Sequence, residues 1–277
     1  MRLFKYMNHF GVDILRDLRL KVTPPNELND PFEFSPYLPP GKVTEEHVRR
    51  LMLTTSPREL YDEMASSGEK LPPFEHFERI LRTVPPNRVA NAVPMFQRSY
   101  EGLVAANLDS VSQILGLVCF SEEENNILMW SHYTDSHKGI LLEFDTSHPY
   151  FCENSKFTKV EYSKKRVPFD PSWSDGSPEL ERHCGEVLCT KNSAWDYERE
   201  WRSLFELGEC HQTKVDGRTL YFSDIPPDLI VQVVLGYRCP ADVQNQVLEA
   251  KRARSLSLSV WRAFLHPAEF KVEYEPL

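Results

Sequence analysis

The sequence predicts an α+β protein, a sheet-forming chain interrupted by a block of helices. Two observations lead there. Apolar runs of strand length stand towards both ends, as in Gly116–Ser121 and Leu229–Gly236. Between Gly41 and Ser112 the pattern instead becomes helical stretches punctuated by Pro72-Pro73 and Pro85-Pro86, so strands and helices come in blocks and do not alternate. A composition of 41% hydrophobic and 12% aromatic residues can build a core, which separates the chain from disordered sequences. Residues 1–277 are read as a single α+β domain, with 41–115 a helical insertion within it.

Leu3–Tyr6 alternates enough for a short strand, and Val12, Ile14, Leu15 and Leu18 then share one face of a short helix. Leu20-Lys21-Val22 is a second strand, closed by Pro24-Pro25. Next, Asn29-Asp30-Pro31 marks a turn whose side chains can bond nearby backbone. The insertion reads as helices over Glu45–Leu53, Pro57–Ser66, Phe74–Thr83 and Asn87–Asp109, their charged faces solvated or offered to a partner. In Gly116–Ser121 the unbroken apolar run implies burial on both faces. Asn125–Tyr133 is a short helix, Gly139–Asp145 a strand and Phe157–Tyr162 another. Pro178–Cys189 is a helix, Leu229–Gly236 a β-branched strand, Ala241–Ser255 a helix, and Val260–Tyr274 holds one or two closing strands.

Charge and composition narrow the function. Lys and Arg number 32 against 41 Asp and Glu, a net charge of −9, which disfavours a non-specific binder of nucleic-acid backbone. A local basic pocket for one small anion remains open. Mean hydropathy is −0.45, and no apolar run approaches the roughly 18 residues of a membrane span. The N-terminal segment mixes charges among its apolar residues and has no signal-peptide core. Cys119, Cys152, Cys184, Cys189, Cys210 and Cys239 form no CxxC pair, so neither a zinc ribbon nor a redox motif is indicated. The expectation is a cytoplasmic protein with buried or idle thiols.

No P-loop, dinucleotide fingerprint, zincin, nucleophile-elbow or kinase signature is present. With 11 glycines, a ligand here is held mainly by side chains. Three constellations remain. Lys5-Tyr6 joins Asn29-Asp30-Pro31-Phe32: Lys5 leaves an early strand where a cation can meet a phosphate or ribose, or is a surface lysine beside an ordinary turn. Met129–Gly139 packs Trp130, His132, Tyr133 and His137 together, a mix that can stack a base and bond a ribose, or serve as core. Two histidines five apart match no helical metal pair, and no metal site is expected. In Trp195–Arg202, a strand would put Glu198, Glu200 and Arg202 on one face and Tyr197, Arg199 and Trp201 on the other. Two carboxylates on one face are costly unless paired or working. Either Arg202 offsets one, or Glu200 holds a substrate hydroxyl or steadies a developing cation.

Together these stretches resemble a bacterial family, domain-of-unknown-function family 2971. The resemblance rests on Phe4-Lys5-Tyr6, Asn29-Asp30-Pro31-Phe32, Cys119-Phe120-Ser121, Met129-Trp130-Ser131-His132-Tyr133, Lys138–Asp145 and Tyr197–Arg202, and skips the helical insertion. More distantly, the strand-helix-strand opening and late Glu-x-Glu resemble the ADP-ribosyltransferase fold, which implies a split mixed or antiparallel sheet. That resemblance implies NAD as co-substrate, clamped by Lys5 or Tyr6 and by His132 or Tyr133, with Glu200 on the nicotinamide ribose and Glu198 beside it. Where that fold usually has His or Arg on the first strand, this chain has Lys5. Asn29, Asp30, Trp130 and Arg202 complete the expected binding set. The implied activity is ADP-ribosyl transfer or NAD glycohydrolysis, in bacterial stress or phage defence, with a protein or nucleic-acid acceptor and no membrane partner. Two alternatives stand beside it: a non-catalytic module sensing a nucleotide or a phage protein, and a metal-dependent nuclease using Glu143, Asp145, Glu198 and Glu200.

Overall fold

A computed structural model describes residues 1–54, 56–66, 71–82, 86–153, 156–173 and 176–277. The parts of the 41–115 stretch at 55, 67–70 and 83–85, Thr83 and Pro85 among them, lie outside the described residues. The chain opens with β1 (Arg2–Met7), α1 (Gly11–Asp17) and β2 (Arg19–Val22), followed by α2 (Glu45–Thr54), α3 (Pro57–Ser66), α4 (Phe74–Arg82) and α5 (Pro86–Ser112). Next come β3 (Leu115–Ser121), α6 (Ile127–Tyr133), β4 (Ile140–Asp145), α7 (Pro149–Glu153), β5 (Lys156–Lys159) and β6 (Glu161–Ser163). Then follow α8 (Pro178–Cys189), β7 (Thr190–Asn192), β8 (Glu200–Glu206), β9 (His211–Val215) and β10 (Arg218–Asp224). The chain closes with β11 (Ile230–Leu235), α9 (Ala241–Ala253), β12 (Ser259–Leu265) and β13 (Val272–Pro276). The fold is α+β with a mixed sheet. Among the described residues, no helix is long and apolar enough to cross a membrane.

Contacts divide the chain into two compact units. One comprises Met1–Phe34, Leu108–Arg166 and Leu188–Leu277, the other Ser35–Asn107 and Val167–Val187. The first contains an eight-stranded sheet in the order β13-β12-β11-β4-β1-β3-β8-β5. All neighbours in it run antiparallel except β11 and β12. Both faces of its centre are buried, which is why the strands read as unbroken apolar runs. Leu3, Leu142, Phe144 and Val233 face one core with Val12 and Leu15 of α1 and Val243 and Val247 of α9. Phe4, Tyr6, Leu141 and Val234 face the other with Met129 and Trp130 of α6.

The helices of the second unit start where proline permits. Pro57 and Pro86 occupy first positions, where the missing N–H would be unpaired anyway, and Pro72-Pro73 immediately precedes α4. Its core gathers Leu38, Val43, Val48 and Val89, with Phe96, Tyr100 and Phe169 against them.

Two local readings are corrected and one element is added. The strand expected over Phe157–Tyr162 is two strands, β5 on the large sheet and β6 paired parallel with β7. β8 begins at Glu200, while Ser193–Glu198 is a 3-10 helix ended by Arg199 at φ 45°, so strand alternation does not place Glu198. A further hairpin, β9–β10, joins β2 in a three-stranded sheet. Its two-residue loop is Asp216-Gly217, both at positive φ, the turn chemistry a tight hairpin requires.

For function, the important feature is the seam between β1 and β3. β1 pairs with β4 from Arg2↔Asp145 to Met7↔Ile140, but with β3 only at Phe4↔Ser121. Side chains span the opening. The Lys5 ammonium donates to the Cys119 carbonyl at 2.8 Å, and the Tyr6 hydroxyl donates to the Glu123 carbonyl at 2.8 Å.

Candidate functional site

Where β1 and β3 diverge lies a cavity of about 210 Å³. Phe4 to Met7 of β1 and Cys119 to Ser121 of β3 form two of its walls. Polar groups come from elsewhere: Asn29 and Glu33 from the turn after β2, Tyr133 from the end of α6, Lys191 from β7, and Glu198 and Glu200 from the approach to β8.

Each polar group is held by its own element. Asn126 caps α6, its side-chain oxygen accepting from the Leu128 and Met129 amides, and its amide nitrogen donates to the Tyr197 carbonyl at 3.0 Å. One residue thus ties the helix bearing Tyr133 to the turn bearing Glu198. Asn192 caps that turn by accepting from Ala194 N–H, and the Ser121 hydroxyl donates to the Glu198 carbonyl at 2.5 Å. The left-handed Arg199 then returns the chain to strand, so that Glu198 and Glu200 both reach Lys191.

Lys191 is the hub. Its ammonium lies 3.0 Å from Glu33, 2.6 Å from Glu198 and 2.9 Å from Glu200. Arg202 donates to Glu200 at 2.8 Å, to Glu33 at 2.5 Å and to the Leu188 carbonyl at 2.8 Å. All five side chains are buried, Arg202 completely. Three carboxylates face two cations, and the electrostatics divide the acids. Burial alone would raise the Glu200 pKa, but Arg202 and Lys191 overcome it and hold it at about 2. For Glu198 burial wins over Lys191, and its pKa rises. Burial works against the charge of Lys191, yet the surrounding carboxylates raise its pKa.

Glu198 differs from Glu200 in its second partner. Both Glu200 oxygens are engaged by cations. Glu198 meets Lys191 with one oxygen and accepts from the neutral Tyr133 hydroxyl with the other. The Asn29 amide donates to that hydroxyl at 3.2 Å. Burial, then the neighbouring Glu198 charge, raise the Tyr133 pKa, so the phenol stays protonated.

Of the residues singled out by sequence, Lys5, Tyr6, Asn29, Tyr133, Glu198 and Glu200 line this one cavity. Arg202 sits behind it, reaching it through Glu200 and Glu33. Trp130 does not line it: the indole is buried, donates to Tyr274 at 3.2 Å and stacks on His137. His132 is exposed and pairs with the Tyr197 hydroxyl at 3.0 Å. Asp30 caps its own turn by accepting from Phe32 N–H at 2.9 Å. Glu143 and Asp145 lie on β4, bonded to Arg2 and to Ser147 respectively, and are not part of the lining. Sequence reasoning missed Glu33, Cys119 and Lys191. The available signal was charge balance, since several buried acids require more than Arg202 to offset them.

Fold and site define an α+β protein with a small cavity at a sheet opening, walled on one side by a buried ion network. Residues 129–203 match a family model described as a protein of unknown function, DUF2971. The resemblance to that family holds over this stretch, which carries Tyr133, Lys191, Glu198, Glu200 and Arg202. No curated protein and no solved structure matches the chain, so these comparisons lend no support to the ADP-ribosyltransferase resemblance.

Proposed function

We propose that the cavity between β1 and β3 is the reaction site of an NAD-consuming enzyme that cleaves the bond between nicotinamide and ribose. The reading is carried by one observation: six residues chosen for that chemistry, from four separate stretches of chain, line the same cavity. Loss of nicotinamide leaves an oxocarbenium-like ribose, which a fixed carboxylate in a largely apolar cavity stabilises. Glu198 suits that task better than Glu200, because both Glu200 oxygens are already held by cations. The Tyr133 hydroxyl is a neutral donor that can move from Glu198 to a ribose hydroxyl. At about 210 Å³ the cavity is smaller than the roughly 300–1,000 Å³ of sites for drug-sized ligands. It takes the nicotinamide-ribose end, with the adenosine lying outside.

The test is nicotinamide release from NAD by the full chain. We expect turnover in the wild type and a loss of about 10²–10³ in rate for Glu198→Gln. Absence of nicotinamide release from folded wild-type protein overturns the reading. One observation favours a second: the Lys191 ammonium is already ion-paired with three of the protein's own carboxylates. That suits a non-catalytic nucleotide-sensing module, which would bind NAD in calorimetry and release no nicotinamide.

A further inference from the structure

Lys5 is the one cation lining the cavity, among the described residues, that stands outside the ion network. Its nitrogen donates to the Cys119 carbonyl at 2.8 Å and lies 5.6 Å from the centre of the Phe120 ring. Among the described residues, no carboxylate oxygen comes within 4.0 Å of it. Phe4, Met7, Leu28, Phe120 and Met129 make the surrounding walls apolar. An amine placed this way keeps N–H groups beyond the single one it uses, faces a cavity and lacks a counter-ion. Lysines so desolvated are the ones that work as nucleophiles towards carbonyl compounds.

We infer that Lys5 is a nucleophilic amine that captures a small aldehyde or ketone in this cavity as an imine. The Lys5 nitrogen adds to the carbonyl carbon, forming the C–N bond while the carbonyl oxygen takes up a proton. Loss of the nitrogen's proton and expulsion of that oxygen as water then gives the C=N bond, with no oxidant or reductant needed. Burial lowers the Lys5 pKa more than Cys119 and Glu200 raise it, which enriches the free amine. The cavity volume restricts the carbonyl compound to a small one. This inference does not depend on NAD being the ligand.

The experiment treats the full folded chain with propanal or pyruvate and sodium cyanoborohydride at pH 6.5–7.5, which reduces any imine to a stable secondary amine. Peptide mapping by mass spectrometry then follows each lysine separately from the N-terminal amine. We expect Lys5 to be modified at least about tenfold faster than the average of the other lysines. The difference should vanish in urea, because it depends on the cavity, and this control requires no variant to fold. A Lys5 rate equal to or below the lysine average in the folded chain overturns the inference and leaves Lys5 as the group that satisfies the Cys119 carbonyl.

Discussion

Lys191 and Arg202 hold their positions because three acids would otherwise be buried without partners. Breaking a buried pair by removing one member costs about 3–5 kcal/mol, since the remaining charge is stranded. We therefore expect Lys191→Met to destabilise the fold by about that amount in urea unfolding, with Glu33 and Glu200 left to the Arg202 guanidinium and Glu198 left without its cation. Glu200→Gln should cost a similar amount at neutral pH. It should also change the acid limb of the stability curve. Glu200 titrates at about 2 in the fold against about 4.3 in an unfolded chain, so the unfolded state takes up its proton first as pH falls. Its contribution is therefore complete above about pH 5 and is lost as pH falls towards 2. The wild type should lose stability over that window, and Glu200→Gln should flatten the slope. An unchanged slope in the variant would mean that Arg202 and Lys191 do not hold this carboxylate ionised.

Among the elements, α6 and the turn before β8 act as a pair because Asn126 belongs to both. Its side chain caps the helix and bonds the Tyr197 carbonyl. Losing an Asn cap typically costs about 0.5–2 kcal/mol. Asn126→Ala should fall at the upper end of that range because a second bond goes with the cap. Differential scanning calorimetry measures the loss. If the proposed reaction takes place, Asn126→Ala should also slow nicotinamide release, since Tyr133 and Glu198 lose their common anchor. The hairpin β9–β10 lies apart from this linkage, and none of its residues lines the cavity.

Across the whole chain, burial concentrates on the central strands. β1 and β4 pair along their whole length and bury side chains on both faces. Such strands open only with global unfolding, whereas less enclosed segments exchange by local opening. Amides of Leu3–Tyr6 and Leu141–Phe144 should therefore exchange most slowly, and those of α2 to α5 faster. Slowest exchange in the helical stretch would contradict this ranking. Backbone proximity sets a further limit. A Cβ on Gly139 would lie 2.0 Å from the Met7 carbonyl oxygen, so Gly139→Ala should be strongly destabilising in thermal unfolding.

What the sequence determined by itself was local. Helical spacing and proline position placed α3 and α8 at their observed boundaries, and apolar runs announced β3, as a strand buried on both faces, and β4, as a strand. Asp216-Gly217 carried a hairpin signal equally local, which the reading by strand pattern passed over. The α+β class and the resemblance to family 2971 were also legible, because both rest on short contiguous stretches. Tertiary structure decided what those stretches meet. Nothing near Lys191 in the chain reveals that Glu33 will lie 3.0 Å from it, and nothing in the Trp-containing motif sends Trp130 into the core while Tyr133 faces the cavity. The 3-10 turn and the left-handed Arg199, not strand alternation, brought Glu198 beside Glu200. The physical reason is range: propensity, capping and periodicity act over a few residues along the chain, whereas a buried charge finds its partners through whichever strands the sheet order makes neighbours.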